Sequence, residues 1–186
     1  MRMRRSAAGA GATALAAVLL VGCGSAEKDV AAPASSSSAP ASPTADPDAA
    51  AKRSVLRAYK EMTTAEARTY ATAKLDPELE KYATHKALSD ISATLFYHQQ
   101  QKTVMRGTVK RDPEVVKIDL DADPASATVE DCADSSRYDE VDAETGEVIK
   151  KKTSGDRRHV MKAEAFQNKA GDWRFFTHTI ERDETC

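Results

Sequence analysis

Several groups of side chains have the types and spacings that chemistry needs. Asp119, Asp121 and Asp123 alternate, and Glu130 follows eleven residues after Asp119. That spacing imitates a calcium loop, which also demands Gly at its sixth position for a sharp turn. Pro124 stands there, and its ring fixes a backbone angle that cannot supply the turn. The expectation is an acidic β-turn between two strands, with no metal. His85, His98, His159 and His178 are scattered. His159 and His178 could face each other on neighbouring strands. A metal would want a third ligand and a held outer shell, so neither metal nor other cofactor is expected. Tyr59, Tyr97, Asp119, Asp121 and His178 are the residue types of Tyr–acid and His–acid catalytic sets. A Tyr among Val, Leu and Met at helical spacing is also the pattern of a core ring whose hydroxyl finds a partner. No Gly-x-Ser-x-Gly or His-Glu-x-x-His motif occurs, and no catalytic residue is assigned. Lys150-Lys151-Lys152, with Arg157-Arg158 nearby, reads as a solvated basic loop or a contact for anionic lipid or an acidic wall polymer.

Three thiols remain: Cys23, Cys132 and Cys186. Arg2, Arg4 and Arg5 precede an uncharged run from Ala7 to Val21, closed by Gly22-Cys23. That is the layout of a secretory signal peptide. The run is shorter than the roughly 20 residues a bilayer-spanning helix needs, which disfavours a retained transmembrane anchor. Leu20-Val21-Gly22-Cys23 resembles the lipobox of bacterial lipoproteins. In that family the Cys sulfur receives a diacylglyceryl group, and cleavage leaves that Cys first in the mature chain. The resemblance implies lipidation at Cys23 and a protein held by membrane lipid at the extracytoplasmic face of the cell membrane. The alternative is an ordinary signal peptide with a coincidental Cys. Arg4-Arg5 raises the twin-arginine export route, although Ser6-Ala7-Ala8 lack the bulky apolar residues that usually follow the pair.

With Cys23 lipidated, two thiols are left in an oxidising setting, and a Cys132–Cys186 disulfide is the economical reading. It would staple the chain end to the sheet and close a loop of about 55 residues, for about 4 kcal/mol in the loop-entropy model. Two free thiols and a redox pair are the alternatives, and no Cys-x-x-Cys spacing supports the second. The full chain has 27 Lys and Arg against 29 Asp and Glu, and the signal peptide removes three Arg and no acid. A mildly acidic mature chain lacks the electrostatic footprint of a nucleic-acid binder.

These residues need a scaffold. Residues 1–22 form the signal peptide. Residues 23–50 hold the lipidated Cys and a linker, whose Ala, Ser and Pro leave no periodic apolar face to offset ordering entropy. Residues 51–186 are long enough for one domain with a core. A helix is expected over 49–73, on Val55, Leu56, Tyr59 and Met62, with Glu66 on its wet face. Asp76-Pro77-Glu78 starts a short helix over 77–83. Thr84 is expected to cap a third over 85–101, with Leu88, Ile91 and Leu95 buried. The period then changes to two. Strands are expected at 103–110, at Val116-Ile118-Leu120, at 127–134, at 157–167 and at 172–182, with 135–156 a polar excursion. Trp173, Phe175 and Phe176 make the last strand bulky on both faces.

Helices followed by antiparallel strands is an α+β pattern. Val55-Leu56-Arg57-Ala58-Tyr59, Glu80-Lys81-Tyr82-Ala83-Thr84, Val104-Met105-Arg106-Gly107, Asp131-Cys132 and Gly171-Asp172-Trp173-Arg174 carry a closer likeness. The domain resembles the nuclear transport factor 2-like (cystatin-like cone) domains of secreted actinobacterial lipoproteins. The resemblance implies N-terminal helices packed on a curved antiparallel sheet, with a cavity between them. The expected function is a non-catalytic binding or scaffolding domain at the cell envelope, with an envelope protein or wall polymer as partner. The alternative is a small-molecule binder or enzyme using the cone cavity. A pocket filled by Tyr, Phe and Leu favours the first; an open pocket with convergent polar groups favours the second.

Overall fold

The computed structural model describes residues 47–149 and 155–186. The signal peptide, Cys23, most of the linker and Lys150-Lys151-Lys152 lie outside the described residues. Three helices come first: α1 (Pro47–Thr72), α2 (Leu79–Tyr82) and α3 (His85–Gln101). Five strands follow: β1 (Thr103–Lys110), β2 (Pro113–Asp119), β3 (Ser126–Asp142), β4 (Arg158–Gln167) and β5 (Trp173–Glu181). The fold is α+β, with helices against a curved, unclosed antiparallel sheet.

Helix α1 begins with Pro47 and has Asp48 in its first turn. Proline is pre-shaped for that position and an acid there complements the helix dipole, so the helix takes in residues the sequence suggests are linker. Val55, Tyr59, Met62, Ala65 and Thr69 recur three and four apart and are all buried. Asp76 starts the next turn: its Oδ1 accepts from the Glu78 N–H at 2.9 Å, and Oδ2 accepts from Arg68 Nε at 2.6 Å. The helix it starts is only one turn long, anchored by buried Leu79. Thr84 sits at the start of α3 but does not cap it. Its hydroxyl lies 3.2 Å from His85 Nδ1, and its backbone N–H donates to the Phe175 carbonyl on β5 at 2.9 Å. The sheet, not a side-chain cap, fixes where α3 begins.

Strand β3 is the axis of the sheet. The strand order is β1-β3-β4-β5, and β2 also pairs with β3. The first half of β3 lies between β2 and β4; its second half pairs with β1, from Thr108↔Arg137 to Thr103↔Asp142. The strand thus runs eight residues into the stretch expected to be a polar excursion. Gly107 has φ +96, and a Cβ there would collide with the Arg137 carbonyl oxygen, so β1 can cross β3 this closely only on glycine. The Glu144-Thr145-Gly146 turn follows, with the Glu144 and Thr145 N–H groups donating to Asp142 Oδ1 at 2.9 and 2.7 Å.

Strand β2 corrects a phase. A bulge between Val115 and Lys117 turns Val115 and Ile118 toward the core and leaves Val116 outside, 48% exposed. Leu120 is exposed too, so Val116-Ile118-Leu120 is not the buried row. The Cys132–Cys186 disulfide is present, with Cα atoms 5.8 Å apart and a sequence separation of 54. It joins the chain end to β3.

The core lies between the helices and one face of the sheet: Val55, Tyr59, Met62, Leu79, Ile91, Val129, Trp173 and Phe175 are its larger members. Trp173 and Phe175 pack under the helices, while Phe176 is half-buried and its ring lies 6.1 Å from that of Phe166. Along β3 and β4 the core-facing positions are small: Ala127, Ala133, Ala163 and Ala165. Of the four, Ala133 borders the room left beneath the helices, while Ala127, Ala163 and Ala165 are packed in the core.

Candidate functional site

That room is a cavity of about 500 Å³. Tyr70 on α1, Ile91 on α3, Met105 on β1, Ala133 on β3 and Met161 on β4 line it, with polar groups converging from five elements. A second cavity of about 310 Å³ adjoins it and shares Glu66, Tyr70, Val109, Arg111 and Tyr138. The space is open, with a largely apolar wall that polar groups interrupt, rather than filled by Tyr, Phe and Leu.

Behind its wall runs a chain of polar groups. Asp131 points into the core from β3, where Ala127, Val129 and Ala133 share its phase. A carboxylate so placed must be compensated. Its Oδ2 accepts from Arg111 Nη1 at 2.7 Å and from the Tyr59 hydroxyl at 2.9 Å, and its Oδ1 accepts from the Asp112 N–H at 2.8 Å. Arg111 and Asp112 are contributed by the β1–β2 connection. The Tyr59 oxygen is 3.3 Å from His178 Nε2, and His178 Nδ1 is 3.5 Å from Glu66 Oε2. Asp131, Tyr59, His178 and Glu66 therefore form one relay from sheet to helix and back. Edge-on ring contacts of Tyr59 with Phe175 and His178 hold its orientation.

The electrostatics follow from burial. Desolvation pushes the Tyr59 hydroxyl well above its ordinary value, with Arg111 working against that. Desolvation also holds His178 below its ordinary value, against the pull of the Glu66 carboxylate. Burial disfavours the Arg111 cation, but Tyr59, Glu66 and Asp131 outweigh it, so the guanidinium stays charged. At the cavity, burial first and Glu66 second raise the Tyr70 hydroxyl, and the same two causes push Tyr138 up to about 12. A separate buried contact closes the α3 side. Thr103 Oγ1 donates to Glu140 Oε1 at 2.7 Å and lies 3.0 Å from His98 Nδ1, and His98 also lines the cavity.

The sequence candidates are dispersed. Tyr59 and His178 meet in the relay. Tyr97 is exposed on α3, its ring 5.5 Å from His98. Asp119 and Asp121 are in the β2–β3 turn, where Asp119 Oδ1 accepts from the Asp121 and Ala122 N–H groups, both at 3.1 Å. Glu130 instead pairs with Lys162 across the β3–β4 ladder at 3.3 Å. Among the described residues, no group of three or more His, Cys, Asp or Glu is arranged to hold a metal ion. His85 packs against Phe166, 6.4 Å between rings. His159 and His178 line the same cavity but do not face each other. His178 is opposite Ala163, four residues along β4 from His159, or about 13 Å of strand.

Three members of the site are not legible as such in the sequence. Asp131 is the exception in part: an acid on the apolar phase of Ala127-Val129-Asp131-Ala133 signals a buried carboxylate. Glu66, expected on the wet face, falls seven residues after Tyr59 and so on the edge of the buried stripe; its side chain is only 15% exposed. Arg111 carries no local signal.

No family model and no curated protein matches the chain. Among solved structures, it is similar to a crystal structure of the intermembrane space region of the chloroplast protein ARC6. The TM-score is 0.49 and the identity 14%, over 73% of this chain and 97% of that one. No helix among the described residues is long and apolar enough to cross a membrane.

Proposed function

We propose that the chain is a lipid-anchored, extracytoplasmic lipoprotein of the cell membrane. In this reading Cys23 carries the acyl chains, residues 24–46 are the tether, and the folded unit is a nuclear transport factor 2-like cone of the actinobacterial lipoprotein type. Its cavity holds a small molecule without transforming it. The cavity carries this reading: about 500 Å³ of open space, with Ile91, Met105 and Met161 as apolar wall and polar groups from several elements beside them. Binding is favoured over catalysis because the Tyr59–Asp131 pair is out of reach, although His178 and Glu66 line the cavity. Tyr59 and Asp131 are each 1% exposed, so a substrate in the cavity would meet neither. Two anchored acyl chains hold a protein at a membrane firmly, whereas one gives marginal binding.

Two measurements test the reading. Cys23→Ala should move the protein from the membrane fraction to the soluble one; continued retention would exclude the lipid anchor. Native mass spectrometry of the full chain, extracted in detergent from its own cells, should find a retained small molecule. Ala133→Phe, which fills the cavity from β3, should abolish that mass while leaving the far-ultraviolet circular dichroism unchanged. A protein that never carries a small molecule would exclude the binding role.

A further inference from the structure

Resting on the cavity-binding reading, we infer that the ligand is an organic cation, with a protonated amine seated beside Glu66, Tyr70 and Tyr138 and an apolar body along Ile91, Met105 and Met161. The argument is one of charge accounting. Arg111 and Asp131 neutralise each other at 2.7 Å. Asp90, also on the cavity wall, pairs with Lys86 at 2.5 Å. His178 is held neutral by burial. Glu66 is left. Its one ion-pair neighbour among the described residues is that neutral His178, and its Oε2 is buried with no hydrogen-bond donor. A carboxylate oxygen in that state is rare in native proteins and calls for a partner.

Glu66 also sits where a ligand would be gripped. Glu66, Tyr70 and Tyr138 line both cavities, at the place where the two spaces meet, together with Arg111, whose charge is taken up by Asp131. A carboxylate beside two tyrosine rings offers a cation both an opposite charge and π-faces. The opposing case is an anion held by Arg111 and Arg182. Arg111 already has Nη1 on Asp131 and on the Tyr59 hydroxyl. Arg182 lines only the larger cavity, whereas Glu66 lines both. Among the described residues, neither forms an ion pair with Glu66.

The test uses phenethylammonium and phenylacetate, which share an aromatic body and differ in charge. Both are titrated calorimetrically into the full chain in detergent micelles. Phenethylammonium should bind on the order of tenfold tighter than phenylacetate. Glu66→Gln, which keeps the shape and removes the charge, should erase that preference. Tyr138→Leu should weaken the cation and leave the anion unaffected. Circular dichroism and the urea midpoint establish that each variant is folded. If phenylacetate binds tighter, or Glu66→Gln keeps the preference, the cation inference is overturned while the cavity reading stands. If neither probe binds the wild type, and Ala133→Phe likewise changes nothing, both are overturned.

Discussion

The relay has two ends, and they are built differently. At the sheet end, Asp131 has both carboxylate oxygens met: a guanidinium, a phenol and a backbone N–H converge on it within 2.9 Å. It sits on the half of β3 enclosed by β2 and β4, next to the cysteine that ties down the chain end. At the helix end, Glu66 has a neutral histidine at 3.5 Å, a buried oxygen without a donor, and two cavities beside it. Both are carboxylates in contact with the same hydrogen-bonded chain. The difference is that one is saturated by the protein and the other is left to something outside it. Saturated buried charge is a structural device; unsaturated buried charge next to open space marks a place for a ligand.

The sheet end should be expensive to break. Asp131→Ala strands Arg111 as a buried cation and leaves the Tyr59 hydroxyl without its acceptor. Removing one partner of a buried pair costs about 3–5 kcal/mol, and that loss should appear in the urea midpoint without a change in slope. A loss below about 1 kcal/mol would mean water reaches Asp131 and the sheet end is not closed.

The middle of the relay titrates. His178 is buried and held below its ordinary value by desolvation. In the unfolded chain it takes up a proton near pH 6.5, before the folded chain does. The unfolded state then binds more protons, so stability is fully present above about pH 6.5 and falls as pH drops through that value toward the folded pKa. The slope can reach about 1.4 kcal/mol per pH unit for one group. His178→Gln keeps a polar group for Tyr59 and removes the titration, so stability between pH 6.5 and pH 5 should flatten relative to wild type. An unchanged slope would assign the acid sensitivity to other groups.

How far the sequence reaches can be judged residue by residue. The α1 stripe is legible because Val55, Tyr59 and Met62 obey a helical period that nothing else produces. The disulfide is legible because removing Cys23 from the count leaves two thiols. Strand β2 is half legible: Val116, Ile118 and Leu120 alternate, yet one bulge, a tertiary feature set by pairing with β3, exchanges Val116 for Val115. The second half of β3 is illegible because its residues are polar, and it is a strand only because β1 returns to pair with it. The site is the least legible part. Asp131 shows itself by phase, but Arg111 reaches it from a connection 20 residues earlier, and Glu66 is placed by the rotation of a helix against a sheet. The cavity itself has Ala133 on its β3 wall, and a small residue there reads equally well as close packing.

The smallest expected effect gives the sharpest comparison. Glu66→Gln should leave the unfolding free energy within about 0.5 kcal/mol of wild type, although the residue is mostly buried and near the same relay. The side chain loses its attraction to Arg111, and the fold no longer carries the desolvation of a charge without an ion pair; the two terms oppose each other. The amide can also donate toward the cavity hydroxyls. The substitution should show itself spectroscopically instead. Glu66 is the second cause, after burial, of the rise of Tyr138 to about 12, so Glu66→Gln should bring that hydroxyl back toward the ordinary value near 10 in an alkaline ultraviolet titration. A stability loss comparable to that of Asp131→Ala would make the two ends alike and remove the ground for calling either one open. A neutral midpoint with a shifted Tyr138 would fix Glu66 as a charge that the fold tolerates and does not need.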